Sequence, residues 1–191
     1  MTKLVLASAS PRRQELMKML GFNFTIVPSK IKEDEYIDLE PIEMVKELAR
    51  AKAEEVAELV EDTLVIGSDT IVVLDDIVLG KPSDHDEAVS ILKKLRSQKH
   101  SVLTAIAICD TVSGKVLVDY EETDVFMGPI SDEEILEYVK TGEPMDKAGA
   151  YGIQGIGGIF VEKINGSYFT VMGLPIHKLV QMLKEFGVSV F

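Results

Sequence analysis

VLTAIAICDTVSGKVLVDYEETDVFM, residues 102–127, is two long apolar runs broken once, at Ser113-Gly114. Val102–Cys109 and Lys115–Met127 are rich in β-branched residues, which predicts two antiparallel strands joined by a turn. Such a pair argues against a purely parallel, doubly wound sheet. On both sides of it, strand-like runs alternate with helix-like segments, which predicts an α/β protein built on a mixed sheet with flanking helices. Upstream, Lys3–Ala7 and Phe22–Val27 read as strands, with a helix between them from Pro11 to Gly21. Pro41–Val60 reads as a long amphipathic helix. Leu64–Leu79 is strand-rich and turns at Asp75-Asp76. Ser83–Arg96 reads as a helix with Ser83 as N-cap and Asp86 three residues on. Downstream, Ser131-Asp132-Glu133-Glu134 is a capping box that opens a helix to Val139. Residues 141–158 are glycine-rich and loop-like. Ile159–Ile164 and Tyr168–Val171 read as strands. A last helix from Pro175 carries Leu179, Val180, Leu183 and Phe186 on one face and ends at Gly187.

The chain has 191 residues, of which 46% are hydrophobic and 27% charged. That suffices to bury a core in one domain, or in two lobes sharing a cleft. No linker composition, repeat or low-complexity tract divides it, so 1–191 reads as a single domain. No stretch approaches the roughly 20 apolar residues that span a bilayer, and the apolar run from Met1 to Ala7 is too short for a signal peptide. These absences point to the cytoplasm, with no membrane partner. One cysteine forbids an internal disulfide, and Cys109, inside an apolar run, reads as core before nucleophile. The formal net charge of −12 makes a nucleic-acid partner a poor match, since duplex binding draws on many cationic contacts. Yet residues 1–32 carry Lys3, Arg12, Arg13, Lys18, Lys30 and Lys32 against only Glu15. A basic patch within an acidic chain suits a small, specific anion.

Five segments carry chemistry. Ser8-Ala9-Ser10-Pro11-Arg12-Arg13 follows a strand and opens a helix, with Ser10 suited to the N-cap and Pro11 to the first turn. The two arginines face the positive end of the helix dipole, which makes sense if an anion such as phosphate joins them there; the alternative is two solvated arginines. Lys52 falls inside the apolar stripe Val45, Leu48, Ala49, Val56, Leu59, Val60, where a lysine either snorkels to an edge or reaches into a cleft toward an anion. Asp69, in Gly67-Ser68-Asp69-Thr70 between two apolar runs, reads as a turn-capping residue, a metal ligand or a general base. Lys81, in Gly80-Lys81-Pro82, is held extended by the proline behind it, a weak signal alone. Lys147 to Gly155 is either a flexible connection or a place where a ligand approaches the backbone closely; the amide of Gln154 could read a base edge such as that of uracil or thymine. Glu33-Asp34-Glu35 reads as a solvated acidic run from which one residue could join Asp69 on magnesium. His85, His100 and His177 have no zinc-like spacing and take no role.

Together these segments resemble the Maf family of nucleotide pyrophosphatases. The resemblance runs along LASASPRR (6–13), LARAKA (48–53), GSDTIV (67–72), LGKP (79–82), DKAGAYGIQG (146–155) and NGSYFTVMGLP (165–175), in an order and spacing more specific than any one of them. It implies an elongated α/β fold with two lobes around a central cleft, similar to inosine triphosphate pyrophosphatases. It implies cleavage of a nucleoside triphosphate between the α- and β-phosphates with a divalent cation, Mg²⁺ or Mn²⁺. Asp69 would be the proton acceptor, Glu33 would join Asp69 at the metal, and Ser8, Ser10, Arg12, Arg13, Lys52 and Lys81 would bind phosphates. Arg12, Thr70 and Gln154 match the branch that favours dTTP and UTP, and modified pyrimidine triphosphates should be accepted too. The resemblance also implies a homodimer and a housekeeping role in clearing non-standard nucleotides. Two other functions stand beside this one: a 7-methyl-GTP pyrophosphatase, and a nucleotide-binding regulator of cell division, as in septum formation, without turnover.

Overall fold

The computed structural model describes residues 2–190; Met1 and Phe191 lie outside the described residues. In chain order the elements are β1 (Lys3–Leu6), α1 (Pro11–Met19), β2 (Phe24–Ile26), α2 (Pro41–Ala57), β3 (Thr63–Leu74), β4 (Ile77–Leu79), α3 (His85–Leu95), β5 (Lys99–Asp110), β6 (Val116–Met127), α4 (Asp132–Lys140), β7 (Val161–Asn165), α5 (Tyr168–Met172) and α6 (Ile176–Lys184), with short 3₁₀ turns at 33–36, 143–146, 148–150 and 156–160. The strands form one seven-stranded sheet in the order β2-β1-β3-β5-β6-β7, with β4 added to β3. It is mixed, as the sequence predicts. β1 runs parallel to both β2 and β3, whereas β3–β4 and β6–β7 are antiparallel. The five-residue connection after Asp110 is too short for a parallel crossover, so β5 and β6 form the expected hairpin, turned at Gly114 with φ +72°. Asp75 and Asp76 adopt φ of 50° and 63°, the left-handed pair that a two-residue hairpin requires.

The chain forms two compact units. The first comprises 1–69, 104–121 and 173–191, and the second 70–103 and 122–172. In the first unit, α2 buries Val45, Leu48, Ala49, Ala53 and Val56 while β3 buries Leu64, Val65 and Ile66. Gly67 lets the helix backbone approach the strand: a Cβ there would lie 2.7 Å from the Ala53 amide nitrogen. α6 buries Leu179, Met182 and Leu183, with Val180 and Phe186 half-buried. Met182 thus belongs to the face the sequence reading assigns to the other four.

In the second unit, α3 and α4 pack together over a core that includes Leu92, Leu95, Val125, Ile135, Tyr138 and Phe160. Full burial of each large aliphatic side chain stabilises the fold by about 1.5–3 kcal/mol. The capping box of α4 forms as expected, Ser131 Oγ accepting from the Glu134 amide and Glu134 accepting from the Ser131 amide. The start of α3 differs by one residue. Asp84, not Ser83, is the N-cap and accepts from the Glu87 amide at 2.8 Å, while Glu87 reaches back to the amide and hydroxyl of Ser83. The carboxylate is the stronger acceptor and takes the capping position.

Two expectations for the C-terminal third are overturned. Residues 156–160 form a 3₁₀ turn, so β7 starts at Val161 rather than Ile159. Tyr168–Val171 is helical, within α5, despite its strand-forming residues. The cause is tertiary. Gly166 takes φ +138°, Ser167 donates its amide to Thr123 Oγ1 at 2.9 Å, and Thr123 Oγ1 donates back to the Ser167 carbonyl. This clamp turns the chain away from the ladder just past Asn165, where the β6 register stops.

His100 on β5 is buried, and its Nε2 lies 2.8 Å from the Tyr151 hydroxyl. Its Nδ1 has no hydrogen-bond partner among the described residues. Burial pushes the imidazole pKa down to about 4, only partly opposed by Asp124. Above pH 6.5 both folded and unfolded chains carry a neutral His100, so it contributes no pH dependence there. Below 6.5 the unfolded chain takes a proton that the native fold refuses, and stability falls as pH drops toward 4. From pH 7 to pH 5 the expected loss is about 2 kcal/mol, measured by urea unfolding at each pH. The carboxylates held below their usual values by hydrogen bonds, such as Glu87 and Glu134, act only lower down. His100→Gln should abolish the slope in this window; an unchanged slope would assign it to other groups.

Candidate active site

In the first unit, β1 ends at Leu6 and the chain turns through Ser8-Ala9-Ser10 into α1. Pro11 occupies the first turn as expected, but Ser10 sits at the N-cap without a side-chain cap bond. Its amide instead donates to Ser8 Oγ at 3.2 Å. The same hydroxyl oxygen accepts from Arg13 Nη1 at 3.2 Å, and Arg13 Nε donates to the Gly173 carbonyl at 2.8 Å. Ser68 Oγ donates to that carbonyl too, at 3.2 Å. Arg13 is half-buried and aimed by these bonds. Burial lowers its pKa most, Asp69 raises it, Arg12 lowers it further and Glu33 raises it, leaving it below the ordinary arginine value yet cationic at neutral pH.

Lys52, within the apolar stripe of α2, is 9% exposed. Its ammonium donates to Glu33 Oε1 at 2.6 Å and to Asp69 Oδ1 at 2.5 Å. The snorkelling reading of this lysine is removed, since its ammonium is turned onto two carboxylates of the chain itself; the stripe also ends earlier than expected, because α2 stops at Ala57 and Leu59 is exposed. Asp69 is 7% exposed and lies inside β3, not in a turn, so the turn-capping reading of Gly67–Thr70 is removed. Glu33 opens the 3₁₀ turn at 33–36. Lys52 and Asp69 are both buried, so their pairing offsets the cost of burying either charge alone, while Glu33 meets the ammonium from an exposed position.

Two carboxylates facing one small cation form a hard, anionic oxygen pair. That suits magnesium or manganese, which take one or two carboxylates and complete their shell with water and phosphate oxygens. Among the described residues no group of three or more His, Cys, Asp or Glu side chains gathers.

Thr70, Lys81 and Gln154 belong to the second unit. Thr70 directly follows Asp69 on β3 and is half-buried. Lys81 follows β4, and the Gly80 carbonyl beside it accepts the Gly149 amide at 3.1 Å, tying this segment to the glycine-rich one. Gln154 is exposed in the turn at 153–154. Cys109 is buried and its thiol is pushed up to about 11, chiefly by burial, which keeps it protonated and inert at neutral pH. Sequence reasoning missed the Gly173 carbonyl and Ser68. Backbone acceptors leave no residue-type signal, and the glycine of Met172-Gly173-Leu174-Pro175 reads only as a turn. Among the described residues no helix is long and apolar enough to cross a membrane.

A mixed α/β sheet, a strand–helix turn bearing two half-buried arginines, and a lysine-bridged carboxylate pair are compatible with a protein that handles small phosphorylated anions. The chain belongs to the Maf family: the model of Maf-like proteins matches residues 3–186. It is 49% identical over 191 residues to a dTTP/UTP pyrophosphatase of Caldicellulosiruptor saccharolyticus, covering 98% of this chain and 96% of that one. It is 50% identical over 197 residues to a dTTP/UTP pyrophosphatase of Acetivibrio thermocellus, covering 100% of this chain and 98% of that one. Among solved structures, a HAM1 protein from Coxiella burnetii matches with a TM-score of 0.47 at 15% identity, covering 97% of this chain and 100% of that one.

Proposed function

We propose that this chain hydrolyses dTTP and UTP to the monophosphate and pyrophosphate in the cytoplasm. The observation that carries the reading is the buried Asp69 carboxylate, held at 2.5 Å by Lys52 beside Arg13. A protein that only bound a tetra-anion would gain nothing from a buried carboxylate among its cations. Full-length relatives near 50% identity support the same substrates.

In this mechanism Arg12, Arg13, Lys52 and Lys81 neutralise the triphosphate, with the hydroxyls of Ser8 and Ser10 at the open end of α1. A divalent ion held by Glu33 and Asp69 would supply further charge neutralisation on phosphate oxygens. Asp69 accepts a proton from a water as its oxygen attacks the α-phosphorus. The bond from that phosphorus to the bridging oxygen breaks, and pyrophosphate leaves with the electron pair. Positioning and charge stabilisation supply most of the acceleration. Thr70 and Gln154 discriminate the base, Gln154 pairing with the N3–H and a carbonyl of uracil or thymine. Modified uridine triphosphates that keep this edge are substrates as well.

Product analysis tests this with Mg²⁺ or Mn²⁺ and a panel of dTTP, UTP, CTP, GTP and 7-methyl-GTP. Monophosphate plus pyrophosphate should form from dTTP and UTP at least about tenfold faster than from the others, the discrimination expected when a base leaves the amide covering it unmatched. Cleavage of 7-methyl-GTP alone would overturn the substrate assignment, and binding without cleavage would overturn the enzymatic one.

A further inference from the structure

The glycine-rich segment around Gln154 makes no sheet ladder; short backbone turns hold part of it and side chains hold the rest. One carboxylate holds two of its amides. Glu143 Oε1 accepts from the Gly157 amide at 3.0 Å and from the Tyr138 hydroxyl at 2.9 Å, and Oε2 accepts from the Ile156 amide at 2.9 Å. Lys147 then anchors the Glu143 carbonyl at 2.6 Å. The glycines mark where these side chains press on the loop. A Cβ on Gly152 would lie 2.7 Å from Lys147 Cε, one on Gly155 2.6 Å from the Glu143 carboxyl carbon, and one on Gly157 2.9 Å from Tyr138 Cζ. Gln154 lies in the turn closed by the Gly155 amide on the Gly152 carbonyl, two residues before the first of the two amides that Glu143 holds.

We propose that Glu143 is a positioning residue for base recognition: its carboxylate, backed by Tyr138, sets the turn that presents Gln154 to the pyrimidine. The proposal rests on the dTTP/UTP reading and on Gln154 as the base reader. An amide that must meet two groups on a base edge needs placement to within about 0.5 Å, and an exposed turn does not provide that by itself. Burial raises the Glu143 pKa, but the Gly157 and Ile156 amides, the Tyr138 hydroxyl and Lys147 together outweigh it and leave it below the usual glutamate value. The group is therefore a carboxylate acceptor throughout the neutral range.

Glu143→Gln keeps the size of the side chain but turns one acceptor oxygen into a donor that faces a loop amide. Steady-state kinetics with UTP and CTP on the wild type, Glu143→Gln, Tyr138→Phe and Gln154→Ala read the outcome. In Glu143→Gln, KM for UTP should rise about tenfold with kcat nearly constant, the effect of one unsatisfied amide, and the preference for UTP over CTP should fall toward that of Gln154→Ala. Tyr138→Phe should shift both in the same direction by less. A merely structural defect would lower kcat for both nucleotides and leave KM and preference unchanged; that result overturns the proposal. If Gln154→Ala relaxes the preference and Glu143→Gln does not, Glu143 alone is excluded. If Gln154→Ala keeps the wild-type preference, the base-reading role of Gln154 falls and the Glu143 proposal falls with it. A panel that fails to cleave UTP at all in the wild type instead rejects the parent reading.

Discussion

Asp69→Asn is expected to lower kcat for dTTP by about 10²–10⁴-fold, the range a positioned general base supplies, while nucleotide binding persists. The substitution is nearly isosteric. Its carbonyl oxygen can still accept from Lys52, and Lys52 keeps Glu33 at 2.6 Å, so the buried ammonium is not stranded. Losing one partner of a buried pair outright costs about 3–5 kcal/mol; the retained hydrogen bond and the second carboxylate should hold the loss well below that. What vanishes is the negative charge and the proton acceptor. Pyrophosphate release and calorimetric dTTP binding separate the two effects. A variant that binds dTTP and barely turns it over supports the role of Asp69. One that keeps kcat within tenfold of the wild type assigns proton transfer elsewhere, and one that no longer binds makes Asp69 chiefly a metal or structural anchor.

Gly67→Ala is expected to be the most damaging single-methyl change in the first unit. The added Cβ would stand 2.7 Å from the Ala53 amide nitrogen and 2.9 Å from the Ala53 Cβ, and it would also press on the Ala49 carbonyl. Two of these obstacles are helix backbone, which cannot swing aside as a long side chain would. Relief requires moving α2, and overpacking of this kind costs about 1–3 kcal/mol or more. For a chain of this size that lowers Tm by roughly 2–4 °C per kcal/mol. Because Lys52 precedes Ala53, displacement also pulls the ammonium from Asp69, so activity per folded molecule should fall with stability. Gly80→Ala is the control for stability: nothing lies within 4 Å of its Cβ position and its φ is not positive, so its effect should stay within about 0.5 kcal/mol. A melt of Gly67→Ala indistinguishable from that control would show that α2 shifts freely.

The expected site was legible to different depths. Lys52 announced itself by position, since a charge inside an apolar stripe needs a partner, and Asp69 by a carboxylate inside an apolar run. Neither residue pointed to the other, because 17 positions of sequence separate them and strand–helix packing alone brings them to 2.5 Å. Glu33 stood out from its acidic neighbours only through resemblance; its contact with Lys52 now gives a physical reason. The aim of Arg13 depends on a backbone carbonyl 160 residues away, for which no local pattern exists.

By itself the sequence determined the features that rest on neighbours a few residues apart. These are the strand–Pro11–helix turn, the amphipathic α2, the Asp75-Asp76 hairpin, the capping box at Ser131 and the mixed character of the sheet. Each is decided by propensity, capping or period within a dozen residues. Tertiary structure decided the rest. Thr123 and Gly166 turned strand-forming Tyr168–Val171 into α5, Glu143 shaped the segment around Gln154, and Gly67 admitted α2 close enough to seat Lys52. In each case the deciding energy is a contact between distant segments, and local propensities of a few tenths of a kcal/mol yield to unsatisfied amides and overlapping atoms that cost several times more.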